Sequence, residues 1–374
     1  MSASDSSEIY IGLMSGTSLD GIDVGIIDFA PSPPQSIYCG TTAYSEPLRE
    51  RLRELTRSQS VTLDELYGLD AELAQRYADA VAAALTTAAI KSERVTALGC
   101  HGQTIRHRPD IEPAYSAQLG DPSRVAALTG ITTVADFRRK DIALGGQGAP
   151  LAPAFHRFLF RSSSENRAVI NIGGIANITS LPSNPNQPVL GFDTGPGNTL
   201  LDYWMQRHQG QICDRAGAWA RSGKVIEPLL HQMLSAEAYF ALHPPKSTGT
   251  EYFDPNWLTP YLDPAHAAVD VQATLVELTA ATIARAVSSL PSPVESSFVC
   301  GGGAHNLYLL ERLSATLPGC SLQTTHALGI DPDYVEASAF AWLARERLQR
   351  RSGNLPEVTK ARRDAVLGGV YLAE

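Results

Sequence analysis

The sequence predicts an α/β protein built from two related lobes, each a mixed sheet flanked by helices. Three observations carry that prediction. At 374 residues the chain exceeds what one hydrophobic core usually supports, so two domains are expected. Runs rich in β-formers alternate with segments of helical periodicity along its length. The second half also restarts the pattern of the first: each half opens with a strand, a glycine turn and a second strand, then alternates helices with strands.

The elements follow in order. Ile9–Ile11 and Ile22–Phe29 read as strands around a Gly/Ser/Thr turn, and 31–36 as a loop. Thr62 and Glu65 form a capping box, and Leu66, Leu69, Leu73 and Tyr77 continue at helical spacing toward Ile90. A strand at Val95–Cys100 delivers His101-Gly102-Gln103-Thr104 into a loop, and Ile131–Phe137 is β-rich. Leu151–Phe160 predicts a helix. The second half then opens with strands at Ala168–Ile172 and Ile175–Thr179, split by Gly173-Gly174. A strand at Val189–Phe192 ends at Asp193, and a helix follows from Thr199 to Gln206. A long amphipathic helix over Val271–Leu290 leads to a strand at Ser297–Cys300, the triple glycine Gly301, Gly302 and Gly303, and a helix from Asn306. Glu336–Arg350 is the last long helix. The expected boundary puts a first lobe at 1–150 and a second at 151–374, with the extreme C-terminus free to return to the first.

Composition narrows the function. Hydrophobic residues at 44% and charged residues at 18% are ordinary for a soluble globular protein. The net charge of −9 argues against a nucleic-acid partner, because a phosphate backbone calls for a basic face. No stretch approaches the ~20 apolar residues that span a bilayer. The Ser-rich, acidic N-terminal residues lack the basic and apolar regions of a signal peptide, so a cytoplasmic protein without membrane contact is expected. Five scattered cysteines form no CxxC pair or Cys/His cluster, which fits free thiols in a reducing compartment rather than zinc.

Three glycine-centred turns follow strands: Gly12–Gly21, Gly173–Gly174 and Gly301–Gly303. Glycine lets a backbone approach a ligand closely, so its N–H groups can face phosphate oxygens. Each turn taken singly is equally compatible with a tight hairpin; three in one chain favour a nucleotide. No G-x-x-x-x-G-K-[ST] occurs, and no G-x-G-x-x-G opens a helix after a strand, so neither a P-loop nor a dinucleotide fold is supported. Asp20 and Asp23 flank Gly21, where they either satisfy the hairpin backbone or hold a hydrated Mg²⁺ through water. Asp193 precedes Thr-Gly-Pro-Gly-Asn and is a candidate general base, or a turn-capping residue. The missing second Asp-Thr-Gly excludes an aspartic-protease dyad. His101, Gln103, Arg106 and His107 cluster donors suited to a polyhydroxylated substrate, or to structure. Arg138, Arg139 and Lys140 suit an anion or a solvated turn. The 246–250 segment is a mobile lid or an inert loop, and Glu336 at a helix start is favoured by the macrodipole whatever its function.

Together these segments resemble one family, the anhydro-N-acetylmuramic acid kinases of bacterial cell-wall recycling. The resemblance lies in GLMSGTSLDGID (Gly12–Asp23), GCHGQTIRHRP (Gly99–Pro109), QLGDPSRVA (Gln118–Ala126) and ADFRRKDIALGGQGAPLAPAFH (Ala135–His156). It continues in NIGGIANIT (Asn171–Thr179), GFDTGPGNTLLD (Gly191–Asp202), PKSTG (Pro245–Gly249), CGGGAHN (Cys300–Asn306) and VEASAFAWLA (Val335–Ala344). These stretches run in order over nearly the whole chain. One position departs: Thr250 stands where the family pattern usually has Arg, so no contact made by that Arg carries over.

The resemblance implies an actin/hexokinase-like (ribonuclease H-like) fold, with ATP and sugar meeting in a central cleft. It implies hydrolysis of the 1,6-anhydro bridge coupled to transfer of the ATP γ-phosphate to O6. Asp193 matches the family's general base. Gly12, Leu13, Met14, Ser15, Gly16, Thr17, Ser18 and Leu19 would face the phosphates with Mg²⁺. Gly173, Gly174 and Gly301–Gly303 would take the rest of the nucleotide, and His101, Gln103, Arg138 and Glu336 the sugar. A homodimer is implied as well. The alternatives are a plain sugar kinase in which Asp193 deprotonates a free 6-hydroxyl, and an ATP-binding module that signals to a protein partner.

Overall fold

In the computed structural model, which describes residues 7–16 and 18–373, β1 (Ile9–Ser15), β2 (Gly21–Asp28) and β3 (Gln35–Ala43) form an antiparallel meander. β4 (Val95–Arg108) lies parallel to β1, and β6 (Thr133–Ala135) parallel to β4. β5 (Tyr115–Leu119) pairs antiparallel with the outer half of β4, and the strand Gly369–Tyr371 closes the far edge on β6. Every residue of β1 is buried, as a central strand covered on both faces requires.

The second sheet repeats this plan. β7 (Arg167–Ile172), β8 (Ile175–Leu181) and β9 (Leu190–Pro196) form the meander. β10 (Ser296–Cys300) lies parallel to β7, and β11 (Ser321–Thr324) parallel to β10. Both sheets thus follow one path, a three-strand meander continued by two parallel strands, β3-β2-β1-β4-β6 in the first, with β5 off the path, and β9-β8-β7-β10-β11 in the second, which is the path of the ribonuclease H-like lobe. The restart in the sequence is this duplication.

Helices cover each sheet. The helix Leu63–Ala88 begins where the Thr62 hydroxyl accepts the Glu65 N–H at 3.2 Å. It buries Leu69, Leu73, Tyr77, Val81 and Leu85 against the first sheet. Ala89 in the left-handed conformation caps it, so it ends at Ala88, two residues short of the expected Ile90. In the second unit the helix Ala268–Ser288 is buried along most of its length, a central member of the core rather than an amphipathic surface helix.

Three expectations change. β4 does not stop at Cys100: Gly102, at φ 75°, bulges the strand, and β5 then gives residues 103–108 an antiparallel partner. His101 through Thr104 are therefore strand residues. β9 likewise carries Asp193 within it, opposite Asn177, and continues to Pro196. The chain also divides differently, into one unit up to Phe155 that resumes at Gly329, and another from His156 to Leu328. The helix Val335–Leu348, with Glu336, belongs to the first unit.

A buried carboxylate ties that returning segment down. Asp141 is fully buried and accepts from Asn354 Nδ2 at 2.7 Å, Thr359 Oγ1 at 2.8 Å and the Gly148 N–H at 2.8 Å. Replacing Thr359 with Val keeps the volume but removes one donor from a buried charge. The expected cost is about 1–2 kcal/mol, read as a lower urea midpoint at unchanged slope.

Candidate active site

In the first unit, the strand β1 ends at Ser15, and the turn to β2 spans Gly16 to Asp20. Thr17 lies outside the described residues. Gly16 and Ser18 are accessible at the tip, and Leu19 takes a left-handed φ of 60° with its N–H on the Gly16 carbonyl at 3.3 Å. Gly12, Leu13 and Met14 belong to the strand instead. A Cβ on Gly12 would lie 1.7 Å from the Ala337 carbonyl, so this glycine admits a helix backbone rather than a phosphate. Leu13 is fully buried in the core, and Met14 is nearly so. The Ser15 hydroxyl is already engaged, 2.6 Å from the Tyr77 hydroxyl and 3.3 Å from the Gly102 carbonyl. Of the run Gly12–Leu19 only the tip, at Gly16 and Ser18, is open to solvent among the described residues.

Gln103 is fully buried and supports that tip, donating from Nε2 to the Gly16 carbonyl at 3.1 Å. His101 accepts at Nε2 from the Arg138 guanidinium, at 2.9 and 3.1 Å. Burial, and then the Arg138 charge, hold its pKa well below the usual imidazole value, so the ring is neutral with its proton on Nδ1. Arg138 also donates to the Gly148 carbonyl at 2.7 Å. Glu336 is accessible to water along its side chain, yet desolvation raises its carboxyl above the ordinary range. The Arg138 charge opposes that rise and Asp23 adds to it. His101, Arg138 and Glu336 thus form one electrostatically linked group. Arg106 is no part of it: it holds the carbonyls of Leu55, Thr56 and Ser58 at the end of the helix Glu46–Arg57. His107 pairs with Ser116 at 3.0 Å.

Asp23 is half-buried and accepts from Thr41 Oγ1 at 2.6 Å; burial raises its pKa, and Asp333 and Asp20 add to the rise. Among the described residues no three His, Cys, Asp or Glu side chains are grouped to hold a metal.

In the second unit the glycines converge. The Gly173 carbonyl accepts the Asn198 N–H at 2.8 Å, and the Gly174 carbonyl accepts those of Gly197 at 2.9 Å and Thr199 at 3.2 Å. Asn198 Nδ2 donates to Ile172 at 3.0 Å and lies beside Gly302. Gly301, at φ 76°, has no room for a Cβ, which would meet Asn171 Oδ1 at 2.4 Å. Asn306 then caps the helix Leu307–Thr316. Thr250 touches the same turn: a Cβ on Gly174 would lie 2.9 Å from its methyl.

Asp193 faces the 246–248 loop. Its N–H donates to the Lys246 carbonyl at 3.2 Å, and its Oδ2 accepts the Thr248 N–H at 2.9 Å. Burial raises its pKa to about 6, against the pull of the Thr248 hydrogen bond and the Lys246 charge. Tyr239 donates from its hydroxyl to the Asp193 carbonyl at 2.9 Å. Lys246 lies 4.6 Å from the Tyr239 ring centroid and donates to that residue's carbonyl at 3.2 Å. The sequence marks the 246–250 segment only as lid or loop. Tyr239 carries no local signal, because its contact with Asp193 spans 46 residues of chain.

A carboxylate with a proton affinity near neutrality, beside glycine turns able to cradle phosphate, suits proton abstraction coupled to group transfer. Comparison with known proteins places the chain in a family. The family model for anhydro-N-acetylmuramic acid kinase matches residues 8–373. The anhydro-N-acetylmuramic acid kinase of Shewanella baltica is 50% identical over 367 residues, covering 98% of this chain and 99% of that protein. That of Pasteurella multocida is 48% identical over 369 residues, covering 98% and 97%. Among solved structures, the activator of the 2-hydroxyisocaproyl-CoA dehydratase from Clostridium difficile aligns with a TM-score of 0.46 at 11% identity, covering 91% of this chain and 96% of that one. The chain belongs to the anhydro-N-acetylmuramic acid kinase family.

Proposed function

We propose that the chain opens the 1,6-anhydro bridge of anhydro-N-acetylmuramic acid with water and phosphorylates the freed O6 from ATP. The products are N-acetylmuramic acid 6-phosphate and ADP. Kinase activity and a place in cell-wall sugar recycling follow from the family. The mechanism rests above all on the Asp193 carboxyl, whose pKa of about 6 leaves it ionised at neutral pH yet a competent base.

The steps balance. Asp193 takes a proton from water as the water oxygen bonds to C1, and the C1–O6 bond breaks with its electrons on O6. O6 then attacks the γ-phosphorus and ADP departs. Thr248 fixes Oδ2, which leaves Oδ1 to receive the proton. Arg138 and Glu336 orient the sugar, with His101 as the neutral acceptor that holds Arg138 in place. Gly16, Ser18 and Leu19 line the phosphates, with Gln103 bracing their turn. Gly173–Gly174 and Gly301–Gly303 receive the nucleotide. Magnesium, held through water near Asp20 and Asp23, would neutralise phosphate charge. The chain works as a cytoplasmic homodimer.

Turnover of the anhydro-sugar with ATP in ¹⁸O water tests the order of bonds. One label per product is expected, on the C1 oxygen, with none in the phosphoryl group. Product without label at C1 would instead place Asp193 in a plain kinase, deprotonating a hydroxyl already free.

A further inference from the structure

We infer that Glu237 is a positioning residue for Asp193, acting by clamping both ends of the loop that delivers the Thr248 N–H. This rests on the reading of Asp193 as the general base. Glu237 is 8% exposed, and all three of its hydrogen bonds go to groups flanking that loop. Its Oε1 accepts the Tyr239 N–H at 2.8 Å and the Tyr252 hydroxyl at 2.8 Å. Its Oε2 accepts the Trp257 indole N–H at 2.7 Å.

Those partners reach Asp193 from two sides. On the upstream side the Tyr239 hydroxyl holds the Asp193 carbonyl, and the Tyr239 carbonyl holds Lys246. On the downstream side Tyr252 and Phe253 donate their N–H groups to the Gly249 carbonyl, at 3.1 and 3.3 Å. Thr248 lies between the two anchors. A buried carboxylate with three donors is stiff, because releasing any of them leaves a buried polar group unpaired. The rings of Tyr239, Phe240, Phe253 and Trp257 pack edge-on and stacked against one another. A cavity of about 460 Å³, walled by Tyr239, Thr248 and Tyr252 among others, lies directly against this loop. The frame that Glu237 holds is therefore also the wall of this space.

The consequence is specific. Without the clamp, the Thr248 N–H no longer sits on Oδ2, and the carboxyl loses a hydrogen bond that favours its ionised form. Lys246 on the loop is the charge that acts on Asp193, and Tyr239 is the titratable group on the preceding turn. β8 presents Asn177 opposite it, and the helix Ala268–Ser288 meets β9 through Thr279 and Thr282, neither of which titrates. Loosening the loop therefore weakens two influences that hold the pKa down, and the acid limb of the pH profile moves upward.

Glu237→Gln and Tyr252→Phe test this in the full chain, beside Asp193→Asn. Tyr252 is half-exposed, so its Phe variant keeps the fold even where Glu237→Gln does not. The expected result is a kcat lower by about 10–100-fold for Glu237→Gln, with the KM for ATP unchanged. Tyr252→Phe shows a smaller loss of the same kind, and in both the acid limb of kcat/KM moves above the wild-type position. Wild-type kcat and an unmoved acid limb in a folded Glu237→Gln, or in Tyr252→Phe where the first does not fold, overturn the clamp provided Asp193→Asn is inactive. An active Asp193→Asn removes the base reading itself, and the clamp with it.

Discussion

Asp193→Asn is expected to lose about 10³-fold in kcat while the protein becomes more stable at neutral pH. The loss follows from chemistry: an amide accepts the Thr248 N–H as the carboxylate does, but it cannot take a proton from water. The gain follows from linkage. The Asp193 pKa is about 6 in the fold against an ordinary aspartate value of 3.8, so the folded chain binds this proton more tightly than the unfolded one. Ionisation therefore costs stability, fully above pH 6 and progressively less as pH falls through 6 toward 4. Asn removes that cost, although it also leaves Lys246 without its counter-charge. A net gain of about 1–2 kcal/mol at pH 7.5 is expected, vanishing by pH 4. Urea denaturation at the two pH values measures it. In the wild type, kcat/KM should fall tenfold per pH unit below about 6 as the base protonates. A variant that is inactive but no more stable at pH 7.5 would mean the carboxyl titrates normally, as it would if solvent reached it freely.

The duplication of the strand–turn–strand opening was legible in the sequence because each half writes it locally, in apolar runs broken by glycine. Asp193 and the Gly173–Gly174 and Gly301–Gly303 turns were legible for the same reason. Two kinds of feature were not. Where a strand ends depends on whether another segment pairs with it, so β4 ran past Cys100 once β5 lay beside it. The supports of the site are distant in sequence: Glu237, Tyr239 and Thr248 reach Asp193 from a loop region with no periodicity. The first-unit boundary was hidden likewise, since Asp141 recruits Asn354 and Thr359 through bonds spanning more than 200 residues. Gly12 is the sharpest case. A glycine in a strand says that some backbone approaches closely, without saying whose.

The helix Val335–Leu348 answers that for Gly12. Gly12, Gly25 and Gly99 sit in register across β2, β1 and β4, and the helix crosses this row. A Cβ on Gly12 would stand 1.7 Å from the Ala337 carbonyl and 2.6 Å from the Ala341 nitrogen; one on Gly99 would stand 2.0 Å from the Phe340 carbonyl. These are backbone atoms, so no rotamer change relieves the clash, and the helix must lift from the sheet along its length. Overpacking of this kind lies at the upper end of its usual range, and Gly12→Ala is expected to cost about 3 kcal/mol or more. For a unit of this size that lowers Tm by roughly 10 °C. Gly68→Ala is the contrast within the same unit. Gly68 lies inside the helix Leu63–Ala88 with nothing within 4 Å of a new Cβ, so alanine should stabilise by about 0.5–1 kcal/mol. Thermal unfolding of the two variants separates packing from phosphate contact at Gly12. Packing predicts a large fall in Tm, with the KM for ATP of the folded fraction unchanged. A Gly12→Ala protein that melts like the wild type but has lost its affinity for ATP would return Gly12 to the phosphate-binding turn.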